Sequence, residues 1–215
     1  MTINSNSNQV SIPLAGRRSV LTALILTAAL ILAEKSVAAS EIGKAVATRG
    51  KVDRRRQAAV ERLTAGASLI DRDIVATGAQ AFAELRLGRD TQVFLGEETE
   101  LTIDRYIAGQ GGTLELGTGR MLFDRPDAGK PVDVELRTAF GMIGVRGTKF
   151  FCGPSRGHFA VFVERGAVSV RNAGITRTVR DGEGVDIAAP DAAPSEPVSW
   201  GAARIREAYV SVGLP

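Results

Sequence analysis

Residues 138–150 read TAFGMIGVRGTKF, and residues 161–170 read VFVERGAVSV. Both stretches alternate apolar with polar side chains and are interrupted by glycine, which is the pattern of short β-strands joined by tight turns. Neither stretch carries a nucleophile with a paired base or a cluster of metal ligands. This part of the chain therefore predicts a sheet and disfavours a catalytic centre.

The same alternation extends outward, from about residue 41 to about residue 187. Ala83, Leu85 and Leu87 point to one face of a predicted strand, while the residues between them point to the other. Residues 88–90 (Gly-Arg-Asp) then predict a three-residue hairpin loop. Because turn signals recur every roughly 8–12 residues, we predict an all-β domain, either a short β-solenoid-like roll or a two-sheet β-sandwich.

The first 39 residues have the layout of a signal peptide. Arg17 and Arg18 precede the apolar run Val20–Ala33, and Val37 and Ala39 occupy the −3 and −1 positions of a cleavage site. We predict cleavage after Ala39 and a periplasmic or secreted protein, by the general secretory or the twin-arginine route. The alternative is an uncleaved inner-membrane anchor facing the periplasm. That run spans only about 21 Å as a helix, however, against a hydrocarbon core of about 30 Å.

Charge is nearly balanced once the leader is set aside. The whole chain has 27 Lys and Arg against 24 Asp and Glu, a net charge of +3. Without residues 1–39 it keeps 24 basic and 23 acidic residues, a net charge of +1. This balance does not indicate a nucleic-acid partner. The one basic run, Arg54-Arg55-Arg56, predicts a solvated loop rather than a patch for an anionic ligand.

Candidate catalytic or metal-binding residues are sparse. Cys152 and His158 are the single cysteine and histidine, so neither an intrachain disulfide nor a structural zinc site can form from them. Cys152 predicts a buried apolar residue, with an intermolecular bridge as the alternative. Glu97, Glu98 and Glu100 predict a solvated turn rather than a cation site. We expect no enzyme activity, metal or cofactor; an enzyme would need His158 or the glutamate cluster in a cleft.

The composition changes after the last predicted strand. Residues 189–198 contain PDAAPSEP and predict a stiff proline-rich linker. Residues 199–215 predict an amphipathic helix capped by Ser199. Its apolar stripe consists of Ile205, Ala208, Tyr209 and Val212. We expect this helix to cover an open end of the sheet, with docking to a partner as the alternative.

Several segments, taken in order, resemble the FecR domain, a family named for the periplasmic regulator of ferric citrate uptake. Its opening strand is similar to AVATRGKV at 45–52, and its longest signature is similar to LTAGASLIDRDIVATGAQAFAELRLGRDTQVFLGEETEL at 63–101. Later parts are similar to GGTLELGTGRMLF, to TAFGMIGVRGTKF (with Ala139 where proline is common), and to the closing strands VFVERGAVSV and VRDGEGVDI. The resemblance implies one FecR-like all-β domain over residues 40–188. Its signature positions, expected to be structural, are Gly66, Thr77, Gly78, Gly141, Val145, Arg146, Gly147, Thr148, Phe150, Gly166 and Gly182.

The resemblance also implies a domain that works by contact with other proteins rather than by catalysis. We expect an exported module for protein interaction or signal sensing, with a protein or glycan partner in the cell envelope. The alternative is a membrane-anchored FecR-type regulator of a sigma factor, which transduces a signal from an outer-membrane receptor, as in iron uptake. Arg146 and Thr148 are expected to share a strand face and to bond neighbouring groups. Candidate contact residues are exposed aromatics on a sheet face or edge, namely Phe82, Phe94 and Tyr106.

Overall fold

The structure is a computed structural model, and it describes residues 1–2, 40–107, 110–126 and 133–215. The chain divides into two compact units, Met1–Ala38 and Ala39–Pro215. The predicted signal peptide and its cleavage site lie almost entirely outside the described residues, so cleavage and export stay predictions. The second unit consists, over its described residues, of strands followed by one C-terminal helix.

The first sheet, sheet A, contains nine strands of the described chain. They are β1 (Glu41–Arg49), β4 (Ser68–Ile70), β6 (Phe82–Leu87), β7 (Thr91–Leu95), β10 (Met121–Asp124), β13 (Lys149–Ser155), β14 (His158–Arg165), β17 (Glu183–Ile187) and β18 (Val198–Ser199). Across the sheet the order is β18-β17-β14-β13-β10-β7-β6-β1-β4. Neighbouring strands are antiparallel throughout.

The second sheet, sheet B, also contains nine strands within the described ranges. They are β2 (Val52–Arg56), β3 (Ala59–Arg62), β5 (Ile74–Thr77), β8 (Glu100–Ile107), β9 (Gly111–Thr118), β11 (Asp133–Thr138), β12 (Gly141–Arg146), β15 (Ala167–Asn172) and β16 (Ile175–Arg180). The order is β16-β15-β12-β11-β9-β8-β5-β2-β3. β9 and β11 run parallel, with Leu114 beside Leu136, and the other neighbours are antiparallel.

The chain crosses between the two sheets as it advances along them. β6 and β7 form a hairpin in sheet A, β8 and β9 form the next in sheet B, and later hairpins continue the alternation. The predicted all-β fold is therefore confirmed. Two sheets enclose one core, as in a sandwich, and successive strands advance along them, as in a roll.

The core follows directly from the alternation in the sequence. Leu85 in β6 lies opposite Val93 in β7, and both side chains are fully buried. The loop between these strands is the predicted Gly88–Asp90, with Leu87 paired to Thr91. Because complete burial of a Leu or Val side chain contributes about 1.5–3 kcal/mol, this periodicity is the main sequence determinant of the fold.

Side chains and loops close both ends of the sandwich. At one end Arg54 and Arg56 of β2 donate to the backbone oxygen of Ser68 in β4, at 2.7 and 3.3 Å. At the other end the amide of Asn172 donates to the backbone oxygens of Pro190 and Ala192, at 2.7 and 2.9 Å. The proline-rich stretch is therefore tied to the domain, and its last residue already belongs to β18.

The helix α1 (Ala202–Ser211) covers the outer face of sheet A rather than the predicted open end of the sheet. It begins later than predicted: Ser199 lies in β18, and Gly201 takes the N-cap position without a side-chain cap. The reason is that the backbone amide of Trp200 donates to the oxygen of Gly182 at 3.0 Å, which keeps the chain extended up to that point. The predicted stripe is in place and packs on a second apolar cluster. That cluster contains Leu122, Phe151, Ala160, Phe162 and Trp200.

Candidate interaction surface

The polar residues considered for chemistry do not converge. His158 is exposed at the start of β14, whereas Cys152 is fully buried in β13. Burial raises the pKa of the Cys152 thiol well above its usual range, and an intermolecular disulfide would require the sheet to open. Over the described residues no group of three or more His, Cys, Asp or Glu is placed to hold a metal ion.

The three glutamates of residues 97–100 each serve a different neighbour. The Glu97 carboxylate accepts a hydrogen bond from the backbone amide of Gln80 at 3.1 Å. Glu100 forms an ion pair with Arg55, and Glu98 is exposed in a turn. Because their oxygens do not point to a common centre, they do not form a cation site.

The arginine run departs from its predicted loop. Residues 54–56 form most of β2, and each arginine has its own acidic partner. Arg54 pairs with Glu61 and Arg55 with Glu100. Arg56 binds both carboxylate oxygens of Asp73, each at 2.8 Å. The hydrogen bond with Asp73 raises the pKa of Arg56, against the lowering effect of desolvation. The run is therefore neutralised within the fold.

Thr77 and Gly78 join the two sheets. The Thr77 hydroxyl donates to the Gly96 oxygen at 2.6 Å and accepts from the Thr99 amide at 2.9 Å. The Gly78 oxygen accepts hydrogen bonds from the amides of Ala81 and Glu98. Since these bonds satisfy buried polar groups at a strand crossing, both positions have a clear structural use.

The signature around residues 141–150 is also built into the sheets. Gly141 has φ 117°, and a Cβ there would meet the Arg171 oxygen at 2.3 Å, so only glycine fits. Val145 and Phe150 lie in the core, and Gly66, Gly147, Gly166 and Gly182 occupy turns with positive φ.

The expectation that Arg146 and Thr148 share a strand face is wrong. Arg146 is exposed at the end of β12, whereas Thr148 is fully buried between β12 and β13. The Thr148 hydroxyl has no hydrogen-bond partner within the described part of the chain. The physical reason is that Gly147 (φ 63°) turns the chain from sheet B to sheet A between them, which breaks the strand alternation.

Tyr106 does not belong to an exposed surface. Its side chain is buried, and its hydroxyl shares a hydrogen bond of 2.7 Å with that of Thr91. A register shift between Ile103 and Arg105 explains the wrong prediction. A β-bulge inserts one residue and so reverses which side chains face the core, and period-two alternation carries no sign of it.

Phe82 and Phe94, by contrast, line one shallow hollow on sheet A. Both rings are half-buried, and the hollow has a volume of about 190 Å³. The Arg49 guanidinium lies 4.2 Å from the centre of the Phe82 ring. The C-terminal residues Gly213 and Leu214 form the opposite wall. We call these five residues the Phe82 hollow; it combines apolar walls with the Arg49 cation at the rim, and Glu84 also contributes to its lining.

Comparisons with known proteins agree with this architecture. Residues 73–169 match the family model described as FecR protein. This stretch is FecR-like. The FecR match includes Phe82 and Phe94 but excludes Arg49, β16 and α1. Within the described ranges, no helix combines the length and the apolar character needed to cross a membrane.

Two solved structures share the FecR-like fold. Both are crystal structures of a proposed anti-sigma factor from Parabacteroides distasonis ATCC 8503, with 19% and 18% sequence identity and TM-scores of 0.50. In each case 62% of this chain aligns with 62% of the other, so the chain spans less than two thirds of the length of these relatives. Identity this low supports the fold alone. No curated protein matches the chain.

Proposed function

We propose that this protein is a non-enzymatic signalling module of the FecR type, exported to the cell envelope, where it binds another protein. The FecR match over residues 73–169 and the fold shared with a proposed anti-sigma factor support a regulatory role. The Phe82 hollow is the observation that carries the binding proposal. Aromatic side chains beside an arginine are the residue types that dominate protein interfaces.

The hollow suits one apolar anchor from a partner. Its volume of about 190 Å³ is of the size of a single large side chain, and its walls are Phe82, Phe94 and Leu214. Arg49 is exposed at the rim, where it is free to meet a carboxylate beside the anchor. The apolar cluster under α1 continues up to Phe94, so the surface around the hollow is held rigid.

Photo-crosslinking in cells of the native host tests this proposal. A benzophenone side chain in place of exposed Ala47, at the edge of the hollow, is expected to capture one protein of defined mass. Phe82→Ala should weaken capture about tenfold, because loss of an aromatic wall that contacts the partner's anchor costs about 1–2 kcal/mol. The matched control places the same group at Glu115, exposed on sheet B. Equal capture from both positions, or none from Ala47, would contradict the proposal.

The membrane-anchored alternative differs in the fate of residues 1–39. If the module is exported and processed, N-terminal sequencing of the protein from the envelope fraction will begin at Ser40. Recovery of chains that still contain Arg17 and Arg18 would instead support an anchored FecR-type regulator of a sigma factor.

A further inference from the structure

The edge strand β16 differs from the other sheet edges of the described chain. At the opposite edge of sheet B, Glu61 and Arg62 of β3 are engaged by Arg54 and by the Gly50 oxygen. In sheet A, β4 accepts two arginine side chains at Ser68, and β18 has only two residues. β16 has six residues, most of them exposed; its Arg177 pairs with Glu196 at 2.6 Å, but no described side chain bonds to Thr176 or Thr178.

Half of the backbone amides of β16 point away from the sheet. Asn172 and Ile175 are paired across the two-residue turn Ala173–Gly174, and in such a hairpin alternate residues bond to the partner strand. The amides of Thr176 and Thr178 consequently face outward, and no described group accepts a hydrogen bond from them. The next outward amide, that of Arg180, donates to the Glu183 carboxylate at 2.9 Å. One carboxylate of the chain itself thus already lies on this edge.

The two strands nearest this edge, β15 and β16, carry basic side chains on their outer face. On the outward positions of β12, β15 and β16 the charged residues are Arg146, Arg171 and Arg180. None of the three forms an ion pair with a described residue, and the Arg171 guanidinium donates to the Met142 sulfur at 3.4 Å. Between them the small residues Gly144, Ser169 and Thr178 line a hollow of about 460 Å³, and the neighbouring strand β11 adds the carboxylates of Asp133 and Glu135 to its lining. Asp133 lies beside Arg146 across the strand pair, so the excess of positive charge is confined to Arg171 and Arg180, on the two strands nearest the edge.

We propose that β16 is a docking edge for an extended, acidic segment of a protein partner, which adds to sheet B as a further strand. Backbone hydrogen bonds would come from Thr176 and Thr178, as in other cases of strand addition. Alternate side chains of the added strand would lie over the outer face. One carboxylate would meet Arg180, and a second, four residues along, would meet Arg171 across Thr176. The residue between them must be small, because it lies against Thr178.

The charge pattern selects the partner. In an antiparallel pair of two β16 strands, the arginines of one copy would lie beside those of the other, and like charges across a strand pair are destabilising. A second copy of this chain is therefore disfavoured. A polysaccharide could bind the arginine side chains. It would not supply carbonyl oxygens at the spacing of the outward backbone amides of a β-strand. The β16 edge belongs to a different sheet from the Phe82 hollow, so binding at this edge does not depend on whether that hollow binds a protein.

The test measures binding of a labelled peptide, Thr-Glu-Val-Thr-Val-Glu-Thr, to the purified full-length protein by fluorescence anisotropy at low ionic strength. We expect saturable binding that weakens with salt and that is lost when both glutamates of the peptide are replaced by glutamine. Arg171→Gln and Arg180→Gln should each weaken binding about three- to fivefold. Arg105→Gln, which removes an exposed arginine elsewhere in sheet B, should leave it unchanged.

A proline substitution separates strand addition from simple charge attraction. Thr178→Pro removes one outward amide while keeping all three arginines, and proline is tolerated where the amide is outside the ladder. We expect about tenfold weaker binding with an unchanged melting temperature; Thr176→Pro serves if Thr178→Pro fails to fold. Absence of binding up to about 1 mM peptide would show that the arginines only protect the edge. Equal affinity for the glutamine peptide or for Thr178→Pro, or self-association through β16, would equally overturn the proposal.

Discussion

Arg56→Ala will lower the free energy of unfolding by about 3 kcal/mol. The Asp73 side chain is 0% exposed, and Arg56 is its cationic partner through two hydrogen bonds of 2.8 Å. Without Arg56 the carboxylate keeps, among the described residues, only the hydrogen bond from the backbone amide of Ile70, at 3.0 Å. A buried charge that loses its partner is costly because nothing replaces the lost solvation. Urea unfolding of the full-length protein, followed by circular dichroism, measures the change.

Arg55→Ala is the matched control, one residue away in the same strand. Arg55 and its partner Glu100 are 41% and 42% exposed, so the loss should not exceed about 0.5 kcal/mol. Adding Asp73→Asn to Arg56→Ala should restore part of the stability, because the neutral amide removes the unpaired charge. Similar losses for Arg55→Ala and Arg56→Ala would show that Asp73 is not held by this pair.

Trp200→Ala will detach α1 from sheet A while the sandwich stays folded. The Trp200 ring stacks on Phe162 with 4.9 Å between centroids, and the Arg204 guanidinium lies 3.8 Å from the Trp200 centroid on the helix side. Truncation of a buried aromatic costs about 3–5 kcal/mol. A ten-residue helix is only marginally stable by itself in water, so α1 depends on this packing to stay folded on the sheet. Because the core between the sheets contains none of these residues, the loss should be confined to the C-terminal segment.

Amide hydrogen exchange measures this detachment directly. In Trp200→Ala the amides of α1 should lose their protection, while those of β6 and β7 keep it. Exposure of Phe151 and Phe162 should also increase the binding of a hydrophobic dye. Val210→Ala, at a position on α1 that is 55% exposed, is the control and should change neither signal. Unchanged protection of α1 in Trp200→Ala would mean that the remaining stripe suffices for docking.

The arginine run and Tyr106 show where sequence reasoning failed, and for the same reason. Arg54-Arg55-Arg56 reads as a solvated loop because three adjacent charges are costly to bury alone. Their acidic partners lie 7 to 45 positions away in the sequence, so local pattern cannot reveal them. Tyr106 depends on the register shift after Ile103, which is a property of strand pairing rather than of composition.

The helix stripe was predictable, but its partner surface was not. Spacing alone places Ala208 and Val212 on one side of a helix. In the structure this side of the helix contacts Leu122, Phe151 and Phe162. The contact surface exists only because β10, β13 and β14 lie side by side in sheet A. These three residues belong to strands in which apolar side chains occupy both faces. In such strands the sequence pattern does not show which side chains face the core and which face the helix.

The sequence by itself determined that this chain forms strands, where most of its turns occur and which side chains enter the core in regularly alternating strands such as β6 and β7, since period-two burial and glycine conformation are local properties. Tertiary structure alone decided which strands share a sheet, which carboxylate neutralises each arginine and which edge stays open. Those outcomes depend on contacts between residues far apart in the chain, whose energies exist only after the two sheets have closed over the common core.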